Sequence, residues 1–347
     1  MTRLDATRAE VLSSWLDAEG LPGAGQALHT RLLSGGAQND IYELRRGTLH
    51  AALRIPPAAA PATRDAGIVR EWRIIHALRT SDVPHARAIA LCTDTAVLGR
   101  TFYLTSYVDG WSPMQLRGQR DRRWPEPFDS DLAARAGLAY QLVDGIVAMG
   151  SVDWRAVGLH DLGRPDGFHE RQVDRWTSFF DDIKGRDLPG MAEAASWLRS
   201  RKPIDYVPGL MHGDYQFANV MFADGAPATL AAIVDWEMGT IGDPKLDLAW
   251  TVHSWPADTS GPAAKTASYV DLTGMPTKAA LVEHYAKQSG RQVDDMDYYC
   301  VLAKWKLAIM LEQGFQRMSN AKQAAFGPMV LTLMTQAAEL AESSDYR

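Results

Sequence analysis

The stretch Met211-His212-Gly213-Asp214-Tyr215-Gln216-Phe217-Ala218-Asn219 decides how this chain is read. It sets an acid ahead of an amide with four residues between them. Val220-Met221-Phe222 then reads as a strand and Ala223-Asp224-Gly225-Ala226-Pro227 as a turn. The apolar run Leu230-Ala231-Ala232-Ile233-Val234 delivers a second acid, Asp235. A loop Asp can accept the proton of a hydroxyl. An amide oxygen and a carboxylate are hard ligands, and Mg²⁺ asks few of a protein because it keeps waters and phosphate oxygens. Together these are the parts of kinase-type phosphoryl transfer. Asp214 is therefore the expected catalytic base, with Asn219 and Asp235 the expected Mg²⁺ ligands. The D-x-x-x-x-N spacing is weak by itself. Its place before a strand that ends in an acid makes it specific.

Four neighbours read as support. His212 is either a second base or a structural imidazole holding the loop backbone, and the second is favoured. Glu237, two residues past Asp235, either touches a metal-bound water or is an exposed loop acid. Asp243 before Pro244 reads as a helix N-cap with Pro at the first helical position. Asp247 lies one turn further on, in an apolar helix, where a buried carboxylate must be hydrogen-bonded. Both are expected to brace the catalytic loop.

The N-terminal third alternates differently. A helix begins with a capping box at Thr7 and Glu10 and ends at Gly20. Strand, glycine turn and strand follow over Leu32–Leu44, and a third strand over Leu49–Ile55. A helix is expected from about Thr63 to Thr80, and two more strands near Ala86–Leu91 and Thr101–Tyr107. Ser34, Gly35 and Gly36 form a turn whose N–H groups can approach anionic oxygens. Arg54, near the end of the third strand, and Glu71, on the helix, are placed to form the ion pair that anchors nucleotide phosphates. Arg keeps the charge of the usual Lys but is not its equivalent. Ser106 and Val108 fall where extended backbone could meet an adenine. A break at Asp109-Gly110 divides residues 1–108, a nucleotide-covering lobe, from residues 109–347, which hold the catalytic loop and acceptor-binding helices. The fold class is α+β, with a small antiparallel-sheet lobe containing one main helix and a larger, mostly helical lobe.

Composition bounds the rest. The chain has 347 residues, 46% of them hydrophobic, enough for two lobes with cores. A net charge of −6 argues against a general nucleic-acid binder. The only cysteines, Cys92 and Cys300, suggest neither a disulfide framework nor a zinc site. No signal-peptide core or membrane-spanning run is apparent, so a cytoplasmic monomer or homodimer is expected.

These motifs, from Leu33-Ser34-Gly35-Gly36 and Leu53-Arg54-Ile55-Pro56-Pro57 through Arg70-Glu71-Trp72 to Val234-Asp235-Trp236-Glu237 and Asp247-Leu248-Ala249-Trp250, resemble the aminoglycoside phosphotransferase and choline kinase-like family. The resemblance is closest to the branch related to kinase domains fused to acyl-CoA dehydrogenases. It implies a bilobal protein-kinase-like fold, ATP or GTP as donor with Mg²⁺, and a small-molecule hydroxyl as acceptor. It does not choose that acceptor. Asp153, Asp161, Glu170 and Asp174 are interleaved with Arg164, Arg171 and Arg175, and Trp176, Phe179, Phe180, Tyr298 and Tyr299 offer stacking surface. This mixture points to a partly apolar or anionic acceptor, such as a hydroxyacyl-CoA-like compound, ahead of an aminoglycoside. The competing readings are a catalytically silent nucleotide- or ligand-binding relative and, more remotely, a metal-dependent phosphohydrolase.

Overall fold

The computed structural model describes residues 4–35, 39–116, 123–183, 186–318 and 320–346. Helix α1 (Ala6–Ala18) precedes strands β1 (His29–Gly35), β2 (Asp40–Arg46) and β3 (Leu49–Ile55). Helix α2 (Thr63–Ala77) follows, then β4 (Ala88–Cys92), the short α3 (Thr95–Leu98) and β5 (Phe102–Ser106). The five strands form one antiparallel sheet in the order β1-β2-β3-β5-β4.

Strand β3 alternates strictly between its faces. Leu49, Ala51, Leu53 and Ile55 face a small core shared with Leu12 and Leu16 of α1, Leu98 and Phe102. The period of two sends Arg54 to the opposite face. There it is the cross-strand partner of Tyr103. Ile68, Ile75 and Leu78 of the α2 region join Tyr103 in the other, larger core. Strand pleating thus puts a lone cation under the helix that carries Glu71.

The first helix starts two residues earlier than a Thr7 cap would place it. Asp5 is its N-cap and accepts from the N–H of Arg8 at 2.9 Å. An ionised Asp ahead of the first turn suits the helix dipole better than Thr inside it.

The larger lobe is built from α4 (Leu132–Gly150), α5 (Phe168–Ile183) and α6 (Met191–Ser200), followed by two small antiparallel pairs. Strand β6 (Gly209–Met211) pairs with β9 (Thr240–Gly242), and β7 (Val220–Phe222) with β8 (Leu230–Ile233). Helices α7 (Lys245–Val252), α8 (Ala263–Thr266), α9 (Lys278–Ser289), α10 (Met296–Gln316) and α11 (Asn320–Ser343) complete it. Helix α4 is long and apolar enough, by composition, to cross a membrane, contrary to the expectation that no such run exists. Leu138, Leu142, Val143, Ile146 and Met149 on it are buried in the lobe's core, which accounts for its hydropathy.

One backbone hydrogen bond joins the lobes, and a second tie holds the chain just past the break between them. Ile233 N–H donates to Pro84 O at 2.8 Å. Trp111 and Phe222 exchange N–H···O bonds of 2.9 and 2.8 Å. Gly110 makes the second possible: its φ is 131°, and a Cβ there would lie 2.2 Å from Phe222 O. The result is the α+β, two-lobed architecture expected from the order of elements.

Candidate active site

The loop between β6 and β7 holds the proposed base. Gly213 enters it at φ 85°, and a Cβ on it would lie 2.6 Å from Met238 O. Only glycine fits there. Asp214 follows. Its Oδ1 accepts from Gln216 Nε2 at 2.8 Å and from Trp250 Nε1 at 2.7 Å. Its Oδ2 accepts from Asn219 Nδ2 at 3.0 Å, and the same amide donates to Asp214 O at 2.8 Å. With both donor contacts of Asn219 turned toward Asp214, its carbonyl oxygen is oriented away and can serve a cation.

Asp235 comes to the same place through strand pairing. Val220 faces Ile233 across β7 and β8, and Val234 N–H donates to Asn219 O at 2.9 Å. Among the described residues, Asp235 alone of the non-glycines has positive φ, at 66°. Asp is one of the few side chains that tolerate that conformation. The kink ends β8 and starts a single 3₁₀ turn, Trp236–Met238.

Arg54 reaches down from the sheet to this acid. Its Nε lies 2.8 Å from Glu71 Oε2 and its Nη2 lies 2.6 Å from Asp235 Oδ1. Tyr103 OH donates to the same Glu71 oxygen at 3.0 Å. Glu71 is 2% exposed, and burial pushes its carboxyl pKa up while the Arg54 charge pulls it back. The strand cation and helix acid expected to pair do so, and the cation also spans to the metal-side carboxylate.

Helix α7 braces the loop along one stripe. Asp247, 1% exposed, accepts from His212 N–H at 2.6 Å and Gly213 N–H at 2.9 Å. Burial raises its pKa, and the field of His212 and the two N–H bonds oppose the rise. Trp250 holds Asp214, and Thr251 Oγ1 donates to Tyr215 O at 3.0 Å. Positions i, i+3 and i+4 share a helix face, so one helix grips four consecutive loop residues. His212 is fully buried, with Nε2 2.8 Å from Val234 O and Nδ1 accepting from Asp214 N–H at 3.3 Å. A carbonyl only accepts and an amide only donates, so the proton sits on Nε2. That geometry makes His212 the structural imidazole. Asp243 caps α7 by accepting from Lys245 N–H at 3.1 Å. It is fully buried against His169 and the hydroxyl of Tyr299.

The remaining expected positions are more dispersed. Ser34 and Gly35 end β1 opposite Ile41 and Asp40, after a register shift at Leu32/Ser34. Gly36 lies outside the described residues. Glu237 pairs with Arg64 at 3.3 Å, which makes it a bridge to the small lobe. Ser106 commits its N–H to Arg87 O at 2.8 Å and its hydroxyl to Arg87 N–H at 2.9 Å. Tyr107 N–H donates to His50 O at 3.2 Å, and its ring stacks on His50. Val108 follows these tied residues.

The expected stacking surface is only partly surface. Phe180 is on the buried face of α5, and Tyr298 and Tyr299 are core side chains because α10 is apolar around most of its circumference. Trp176 and Phe179 remain partly exposed. Asp161 pairs with Arg73 at 2.5 Å and Asp174 with Arg199 at 3.0 Å, so these acids are already matched. Sequence reading missed Gln216, Trp250, Thr251 and Tyr103. The i, i+3, i+4 spacing of Asp247, Trp250 and Thr251 was the available signal for two of them.

The donor set fits magnesium. Among the described residues no group of three or more His, Cys, Asp or Glu side chains stands ready for a metal. Mg²⁺ bound with substrate phosphates needs only one or two protein carboxylates. Asp235 and the carbonyl of Asn219 supply that much.

Residues 29–281 match the profile of the phosphotransferase enzyme family. Acyl-CoA dehydrogenase family member 11 of Gallus gallus is 28% identical over 339 residues, covering 93% of this chain and 42% of that protein. The chain therefore spans less than half the length of this relative. A Ralstonia eutropha jmp134 structure, provisionally assigned as an aminoglycoside phosphotransferase, superposes with a TM-score of 0.78 at 27% identity, covering 96% of this chain and 98% of that one. A thermostable mutant of aminoglycoside phosphotransferase APH(4)-Ia, solved with ADP and hygromycin B, shares the fold at a TM-score of 0.61 and 11% identity, covering 95% of this chain and 98% of that chain.

Proposed function

Because this chain belongs to the phosphotransferase enzyme family, a family of small-molecule kinases, we propose that it moves the γ-phosphoryl group of ATP, bound with Mg²⁺, to a hydroxyl of a partly apolar acceptor. The observation that carries this reading is the convergence of Asp214, Asn219 and Asp235 with the Arg54–Glu71 pair. GTP is the alternative donor. In this proposal residues 1–108 cover the nucleotide, and residues 109–347 supply the base, the metal side chains and the acceptor site.

Asp214 accepts the hydroxyl proton as the acceptor oxygen bonds to the γ-phosphorus and the bond from that phosphorus to the bridging oxygen breaks, releasing ADP. Gln216, Trp250 and Asn219 fix its carboxylate in advance, which is how positioning lowers the barrier in such reactions. Asn219 and Asp235 would hold Mg²⁺, which when bound neutralises charge on the phosphates. Arg54, kept in place by Glu71, contributes a fixed cation beside them. Ser34 and Gly35 cover the phosphates, and the backbone contact to the adenine falls to Val108.

For the acceptor we place hydroxyacyl-CoA-like compounds first and aminoglycosides second. The support is the similarity to a protein named as an acyl-CoA dehydrogenase, together with matched acids in the helical lobe. One observation favours a second reading, a catalytically silent binding protein: Arg54 already neutralises Asp235. Mg²⁺-dependent ADP release across a hydroxyacyl-CoA and aminoglycoside panel separates the two. Release that vanishes in Asp214→Ala supports the kinase. Nucleotide binding with no release on any acceptor supports the silent protein.

A further inference from the structure

A cavity of about 120 Å³ lies beside the proposed base, walled by the catalytic loop, the end of α7 and residues from α4, α10 and the segment after α8. Gln216 and Trp250 line it, and both donate to Asp214 Oδ1. The cavity therefore begins one side chain away from the carboxylate. Leu142, Phe217, Trp255 and Leu272 give it apolar walls, and Thr251, Ser254, Ser268 and Tyr269 add neutral polar ones. Among the described residues its lining contains no Asp, Glu, Lys or Arg. His253 also lines it and stays neutral: burial, then the charges of Lys304 and Lys278, push its pKa down to about 3.

We infer that this cavity receives an uncharged segment of the acceptor, an aliphatic stem with a neutral polar end about four to six heavy atoms long, and that it rejects an ammonium group. This rests on the phosphotransferase reading above and names the acceptor's chemistry at the same site. The size limit follows from volume, since a cavity of roughly 150 Å³ holds a benzene-sized guest. The charge limit follows from the walls. Neutral hydroxyls and an amide can solvate a neutral polar end, but a buried ammonium without a carboxylate is costly; among the described residues this lining supplies none, and the charges of Lys304 and Lys278 already act unfavourably on a cation at His253. A polycationic antibiotic could not place an amino group here. A hydroxylated chain ending in a neutral group could.

The test uses the full chain and matched ω-hydroxyalkyl probes of about three to eight carbons, ending in either a carboxamide or a primary ammonium. Binding is read from the indole N–H NMR signals of Trp250 and Trp255, and phosphotransfer from ADP release with MgATP. Carboxamide probes should shift both indole signals, with affinity rising about fourfold per methylene and levelling near six heavy atoms. Ammonium probes should bind at least about tenfold more weakly. Leu272→Trp, which fills the cavity, should flatten the length dependence while MgATP still stabilises the protein. Equal or tighter binding of the ammonium series, or a length dependence unchanged in Leu272→Trp, would overturn the inference. If that variant does not fold, the wild-type length and charge series decides alone. Phosphotransfer with silent indole signals removes the cavity assignment and leaves the kinase. Indole shifts without any phosphotransfer do the reverse.

Discussion

Arg54 Nη2 and Asp235 Oδ1 stand 2.6 Å apart, so the cation proposed for the phosphates and the carboxylate proposed for the metal are ion-paired across the lobes. The same guanidinium holds Glu71 through Nε. A lysine ammonium is a compact point charge, whereas the guanidinium fork reaches two carboxylates at once. Arg54 thereby ties the sheet, α2 and the Asp235 kink into one unit. Removing it leaves Glu71 buried without its cation. Arg54→Met is expected to cost about 3–5 kcal/mol of stability, measured by urea unfolding, because one partner of a buried pair is left behind. Arg54→Lys should cost less and keep some nucleotide-induced stabilisation.

The base makes a sharper prediction. Asp214→Asn keeps the size of the side chain but cannot take the hydroxyl proton. On any acceptor that the wild type phosphorylates, kcat should fall by about 10²–10⁴, the usual contribution of a positioned base. MgATP affinity, measured by calorimetry, should stay within a few-fold. Unimpaired turnover would remove Asp214 from the role.

How much of this was legible follows from what each residue type advertises. The convergence of Asp214, Asn219 and Asp235 and the Arg54–Glu71 pair could be read because the chemistry expected of them restricts residue type and their order along the chain restricts place. The strand alternation in β3 even fixes which face Arg54 takes. Trp250 was hidden because an indole N–H that orients a carboxylate looks, in sequence, like any core tryptophan. Tyr298 and Tyr299 misled for the same reason, since an aromatic on a helix apolar all round does not say which side is wet. The Asp5 cap was missed because Thr7 and Glu10 satisfy the capping-box spacing without forming it. Glu237 stood open between two roles, and only the approach of Arg64 from the other lobe shows it as a bridge.

The α7 brace is testable apart from the chemistry. Asp247→Asn replaces one acceptor oxygen with an amide N–H₂ that cannot accept from His212 or Gly213. A cost of about 2–4 kcal/mol is expected, from a lost charge-assisted bond and an unsatisfied buried N–H. Trp250→Phe keeps the ring and removes only the donor to Asp214. It should lower kcat about tenfold while changing stability by no more than about 1.5–3 kcal/mol. Equal losses of kcat and stability in both variants would make α7 scaffolding only.

His253 gives a pH signature. Its folded pKa is held at about 3, against an ordinary 6.5, by burial and by Lys304 and Lys278. The unfolded chain therefore binds the extra proton first as pH falls. Stability linked to neutral His253 is fully present above pH 6.5 and is lost progressively between 6.5 and about 3. His253→Gln should flatten the stability difference across that window relative to wild type, measured by thermal unfolding at pH steps. An identical pH slope in both proteins would contradict the neutral, buried imidazole.

The most direct test of the nucleotide and metal site is a thermal-shift titration with ATP and GTP, with and without Mg²⁺, on wild type and Asp235→Ala. Stabilisation by ATP should require Mg²⁺ and disappear in Asp235→Ala. A shift independent of Mg²⁺, or one retained in full by the variant, would contradict the role proposed for Asp235.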